Sequence, residues 1–525
     1  MSPLNSSRRQ FLSQVGRGMF VASLGSALAV DMGLARNLRA EEPGGRISFG
    51  AMDGLVDFLQ STPVEKLLPL VVEKLKAGTT LKDFTAAAAL ANARAFGGED
   101  YIGFHTLMAL GPALAMSGEM GQHKNAALPV LKVLYRNTEQ IQKTGKSSSD
   151  TLKPVQITAS SLPSGTSSSE ALREAVHKGD RAAADQLLAH SVAHSAADGF
   201  NDLLPTVDES TDVHRVVLMH RAWDMLSIVG QENALSMLRQ SLGYCLKNEK
   251  YAAQYAGDVR KTLPRVMDQF KLDSRECGTK EVDEKWVLEM MNTLFTATPQ
   301  QGAEAVAAAV VEGIHPLRIA EAISLTANQI VLRDAGRTGK QVQPGKPEGS
   351  VHGDSIGVHA SDSAHAWRNI ALATNTRNKN AALVLAGFQV ALDRTERGGD
   401  FQNWMNRPLA EDLAKFTNTE KCHLLGDLKR TIEANDQAGA CAVVAKYGEA
   451  GHSAGNIFHI LREYAISQDG ALHAEKYYKT TSDDFANTSK SLRWRHLIGL
   501  ARVTASEFGR EASGHHEACE LLGST

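Results

Sequence analysis

The sequence predicts an all-α protein made of two tandem, pseudo-equivalent helical halves, and three observations predict it. Apolar residues recur at helical spacing, as in Leu67, Leu68, Val71, Val72 and Leu75, which fall on one face of a helix. The alternation of polar and β-branched residues that marks strands is nearly absent. Six short blocks then recur in one order along the chain, the signature of an internal repeat.

Residues 1–40 read as a leader rather than as part of the fold. A charged start with Arg8-Arg9-Gln10-Phe11-Leu12, an apolar stretch from Met19 to Val30 and a small-residue exit at Ala40 follow the layout of a cleavable signal peptide. The paired arginines resemble the twin-arginine signal, with Ser13 and Asp31 as departures. That resemblance implies export of a folded chain by the twin-arginine (Tat) translocase, a route that favours cofactor-bearing proteins. The apolar stretch is too short and glycine-rich to span a bilayer, which takes about 20 apolar residues. A periplasmic or secreted, non-membrane-spanning mature chain is the expectation. Losing Arg8, Arg9, Arg17, Arg36, Arg39 and Asp31 takes the formal charge from -3 to about -7. An acidic chain is a poor partner for nucleic acid, whose binding depends on clustered Lys and Arg.

The two halves follow as residues 41–287 and 288–525. Ser61-Thr62-Pro63 recurs as Ala297-Thr298-Pro299, Ala91-Asn92 as Ala327-Asn328, and Ile102-Gly103-Phe104-His105 as Ile356-Gly357-Val358-His359. Lys124 to Leu128 recurs as Lys379 to Leu383, His194-Ser195-Ala196 as His452-Ser453-Ala454, and Val213-His214 with Asp224 as Leu472-His473 with Asp483. The first half carries a Ser-rich linker, 147–169, and the second a Gly/Pro-rich insertion, 333–354, that reads as a long loop.

An internal duplication supplies its own comparison. Leucines recur because the same apolar face is buried twice, whereas recurrent polar residues need a hydrogen bond or a ligand. His105 with His359, His194 with His452, His214 with His473, and Asp224 with Asp483 recur. His220 lies four residues before Asp224, on the same helix face. Together His105, His194, His214, His220, Asp224, His359, His452, His473 and Asp483 form the candidate metal set. Helical bundles do hold metals on inward His and carboxylate side chains, and a His-rich set suits Zn, Fe, Cu or Mn. Trp223 and Trp367 stand beside these positions and either line a cofactor pocket or pack in the core. The five cysteines include no Cys-x-x-Cys, which excludes a redox pair, a c-type haem attachment and a zinc ribbon. Glycine-rich dinucleotide loops, phosphate loops, nucleophile elbows and His-Glu-x-x-His are all missing.

The histidines at helix starts, in Gly103-Phe104-His105-Thr106-Leu107 and in Val358-His359 through Ala364-His365-Ala366-Trp367-Arg368, resemble the pattern of the questin-oxidase-like proteins. The resemblance implies an all-helical fold and Baeyer-Villiger-type oxygen insertion; it brings no catalytic residue with it. Two readings therefore stand. One is an exported, metal- or cofactor-dependent oxidoreductase with a His-lined interior site. The other is a helical-repeat binding or scaffold protein whose histidines are structural.

Overall fold

The computed structural model describes residues 45–144, 151–155, 166–395 and 400–523; the leader and the middle of the Ser-rich linker lie outside them. The described chain is all-α, and its only β pairings are the isolated bridges Lys280–Ile314, Gln343–Lys346 and Gln468–Glu511. The end of the linker starts a helix: Ser167 caps Ser168–His177 by accepting from the Glu170 N–H. The helix Glu284–Thr296 runs across the 287/288 boundary.

In each half one helix is buried along almost its whole length, alanine-rich in the first half. Leu81–Phe96 is buried from Phe84 to Phe96, and Pro316–Arg333 from Ile319 to Leu332. Burial on every side explains why these helices lack a polar stripe, and small side chains let neighbours approach closely. Each has a defined start. Thr80 and Asp83 form a capping box on the first, and His315 accepts from the Leu317 N–H on the second. Leu81–Phe96 packs on Tyr101–Met120, and Pro316–Arg333 packs on Ile356–Ala373.

Four helices meet at the middle of the molecule: Tyr101–Met120, Val213–Asp224, Ile356–Ala373 and Ala474–Asn487. Each packs on the next, and the fourth returns to the first, so two helices from each half close a ring. Their starts are set individually. Asp100 accepts from the Gly103 N–H at 2.7 Å, Asp212 from the His214 N–H at 3.2 Å, and Ser355 from the Val358 N–H at 3.5 Å. The fourth helix begins at His473 after Ala471 and Leu472 turn the chain with φ of 50° and 64°.

The halves interlock beyond this ring. The C-terminal helix His515–Leu521 crosses to pack on Val64–Lys76 and Leu128–Lys143. Lys132, on the last of these, lies 2.6 Å from Glu475 and donates to the carbonyls of Ala465 and Gln468, both at 2.8 Å. Both side chains of the pair are buried. Removing one partner of a buried ion pair strands the other charge, at a cost of about 3–5 kcal/mol. Lys132→Met is therefore expected to lower the urea-unfolding free energy by about that amount, and Lys132→Met/Glu475→Met to recover most of it. A single variant within about 1 kcal/mol of the parent would contradict this account of the seam.

Candidate metal centre

Each of the four central helices carries a histidine at or near its start, and the four imidazoles meet. Ring centres lie 4.9 Å apart for His105–His214, 5.6 Å for His214–His359, 5.4 Å for His359–His473 and 5.1 Å for His105–His473. Every imidazole thus touches one from its own half and one from the other. His105 and His473 are buried, whereas His214 and His359 are only partly so, and this edge faces outward. Tyr101, 63% exposed, stacks on His105 at 4.5 Å and reaches His214 at 5.9 Å.

The second nitrogens decide what the ring can do. His105 Nδ1 faces the Tyr101 carbonyl at 2.7 Å, His473 Nδ1 the Ala471 carbonyl at 3.0 Å, and His214 Nδ1 the Asp212 carboxylate at 3.3 Å. An oxygen acceptor fixes the N–H on Nδ1 and leaves a lone pair on Nε2. His105 Nε2 and His214 Nε2 are buried without a hydrogen-bond partner. His473 Nε2 lies 3.3 Å from His359 Nε2.

That separation matches the distance between two nitrogens bound to one tetrahedral ion at about 2.0–2.1 Å, which is about 3.3 Å. Imidazoles around such an ion would have neighbouring ring centres about 4.5–5.2 Å apart, depending on geometry. The observed ring centres stand at 4.9–5.6 Å, so binding one ion requires the imidazoles to turn and move inward.

Electrostatics disfavours the charged form of two of these imidazoles. Burial holds the His105 and His473 imidazoles well below the ordinary value of 6.5, and the Lys476 ammonium lowers both further. Lys476 is itself pushed down to about 8 by burial. Four helix N-termini at the same end add partial positive charge that also disfavours imidazolium. For Asp212, burial raises the carboxyl, but the hydrogen bonds from His214 and the Tyr244 hydroxyl outweigh it and hold it below the usual range.

A second polar layer lies below, six residues further along two of the helices. His220 and His365 have ring centres 5.4 Å apart, and His365 Nε2 is 2.9 Å from Asp483 Oδ2. Lys479 donates to both Asp483 oxygens at 2.6 and 2.7 Å, so this carboxylate already has its counterion. His220 and Asp483 belong to this layer, not to the ring. Asp224 is half exposed, with Arg221 at 3.8 Å.

One of the predicted ligand pairings, His194 with His452, lies away from the ring. His194 is exposed at a helix end, with Nδ1 on the His190 carbonyl at 2.9 Å, and His452 binds the Thr419 carbonyl at 2.9 Å. Their recurrence comes from helix entry, since Ser195 caps Ala196–Val207 and Ser453 holds the same place before Ala454–Ser467. The tryptophans are also core residues. Trp367 is fully buried and donates to Gln389 Oε1 at 2.7 Å, and Trp223 packs on Phe200 with ring centres 4.3 Å apart.

Several contributors escaped the sequence reading. Asp212, two residues before His214, carried a detectable Asp-x-His spacing; Tyr244 and Lys476 carried none. The Gly/Pro-rich insertion ends against the ring: Gly353 donates to Glu507 at 2.8 Å, and a Cβ there would come 2.5 Å from the His473 Cβ. Elsewhere, His177, Glu209 and Glu249 bring ligand atoms within 4.8 Å of one another. Arg260 lies 2.8 Å from Glu249 and 3.4 Å from Glu209, with Arg173 and Arg215 within 4 Å of these carboxylates. Three guanidiniums neutralise that cluster, so it is an ion-pair network. No protein-family model, curated protein or solved structure matches the chain.

The buried histidines set a pH dependence. His105, His220, His365, His473 and His496 are all lowered, chiefly by burial, so the unfolded chain binds more protons once pH falls through about 6.5. Burial raises Asp208 and Glu507 to about 7, which acts in the opposite sense, but burial also lowers His352 and His515, so these are two groups against seven. Metal-free protein is expected to lose stability from pH 7 to pH 5, read as a falling urea midpoint. His473→Gln would flatten that fall, and a midpoint constant over this range would contradict the neutral-imidazole assignment.

Proposed function

We propose that the protein is a metal-dependent oxidoreductase whose single transition-metal ion is held by the Nε2 atoms of His105, His214, His359 and His473. The observation that carries this reading is the pair of buried, partnerless Nε2 atoms on His105 and His214, beside a His359–His473 pair already at ligand spacing. A buried acceptor without a donor costs about 1–3 kcal/mol, and a bound cation removes that cost for the whole ring at once. An all-imidazole set with no thiolate suits Cu, Fe or Zn better than Mn, which prefers oxygen ligands. With Cu or Fe the ion supplies one-electron chemistry, and the partly exposed edge at His214 and His359 leaves a side for a small-molecule substrate.

Internal duplication and folded-state export fit the same reading. His105 and His214 pair with His359 and His473 in the sequence, so each half supplies two equivalent ligands. A site assembled from four helices exists only after folding, which suits a route that moves folded, loaded proteins.

The test is metal analysis of the full-length protein purified from an exporting bacterial cell. About one Cu or Fe per chain is expected, with loss of most of it in each of His105→Ala, His214→Ala, His359→Ala and His473→Ala and retention in His194→Ala and His452→Ala. Metal-free parent protein, or metal retained in the four ring variants, would overturn the site. Zinc alone would overturn the oxidoreductase assignment and leave a structural clamp between the halves.

A further inference from the structure

We propose that Asp212, backed by Tyr244, is the positioning residue that makes His214 the strongest donor of the ring and so sets the affinity and reduction potential of the centre. This rests on the four-histidine reading above. Of the three imidazoles whose Nδ1 partners are seen, two face backbone carbonyls, Tyr101 and Ala471, and one faces a carboxylate, Asp212. All three partners accept the Nδ1 proton, but only the carboxylate carries a full charge. It draws that proton away from the ring, shifts His214 toward imidazolate and strengthens its Nε2 as a ligand.

The carboxylate is held on three sides. Its Oδ1 accepts from the His214 backbone N–H at 3.2 Å and from Nδ1 at 3.3 Å, and its Oδ2 accepts from the Tyr244 hydroxyl. Tyr244 is buried, with its ring edge-on to Phe104 at 5.1 Å, and Phe104 lies against His105 at 4.9 Å and His214 at 5.4 Å. Asp212 therefore fixes both the helix start and the imidazole plane of the same residue.

Charge gives this contact its weight. Imidazole ligands alone bring no negative charge to a divalent ion that already faces four positive helix ends. Asp212 brings one, a single imidazole away. The equivalent position in the second half is Ala471, whose side chain has no charge and whose carbonyl binds His473. The ring is thus electronically lopsided: one half contributes a charged ligand pair where the other contributes a neutral one.

The experiment compares full-length parent protein with Asp212→Asn and Tyr244→Phe. Copper affinity is measured by competition with a chelator, the midpoint potential of the loaded centre by redox titration, and the metal-free melting temperature alongside. Asp212→Asn keeps an acceptor for the cap and removes only the charge. It is expected to weaken binding by about 10- to 100-fold and to raise the potential, because the lost negative charge disfavours the oxidised ion. Tyr244→Phe is expected to move both in the same direction by less, and it carries the test if Asp212→Asn fails to fold. Unchanged affinity and potential with parent protein binding copper would overturn this inference alone. Parent protein that binds no copper would overturn the four-histidine reading and this inference with it. A lowered melting temperature with neither metal readout moved would mark Asp212 as a helix cap only.

Discussion

At the seam of the two halves four imidazoles meet, two of them with buried Nε2 atoms that have no hydrogen-bond partner. His105 and His214 have committed their Nδ1 protons to oxygens and hold Nε2 acceptors that nothing satisfies. Such groups are costly in a protein interior, and the surrounding structure is organised to keep them there. Caps at Asp100, Asp212 and Ser355 and the turn at Ala471 and Leu472 place the four helix starts, and Gly353 gives the insertion room to lie against His473 without a Cβ. Burial, helped by the Lys476 ammonium, disfavours imidazolium at His105 and His473, and the Lys132–Glu475 pair and the crossing C-terminal helix hold the halves in register. A cation bound at the centre, as proposed, would satisfy these acceptors and tie the halves together.

Much of the fold and the core of the site were legible because the halves could be compared with each other. Helical spacing and the absence of strand alternation predicted the all-α class. The recurrence of His105 with His359 and of His214 with His473 picked out the ring. The same filter explains the errors. His194 and His452 recur because a serine that starts a helix recurs beside them. For Trp367, two residues from His365, the sequence leaves pocket and core both open, and its indole faces Gln389 in the core. Asp212 was passed over because its counterpart is Ala471, and a search for shared residues cannot find what one half has alone. Gly353 lies at the end of an insertion that the first half lacks, so no comparison reached it.

The asymmetries concentrate where chemistry is expected. A strictly repeated structure would give two equal pairs of ligands and two equal surroundings. Here the first half brings a carboxylate and an aromatic wall of Tyr101, Phe104 and Tyr244, and the second brings a docked loop and a buried Glu507. In the layer beneath, Gly111 stands where His365 stands in the other half, and His220 where Lys479 does. Shared ligands with unshared neighbours are what a single central site needs if its two sides are to do different work.

The central claim is that one ion is bound by four imidazoles, and X-ray absorption at the metal edge of the purified, loaded protein tests it most directly. The account predicts a first shell of nitrogen at about 2.0–2.1 Å with the multiple-scattering pattern of about four imidazole rings. A sulfur shell at about 2.3 Å, or light-atom ligands without imidazole scattering, would contradict it.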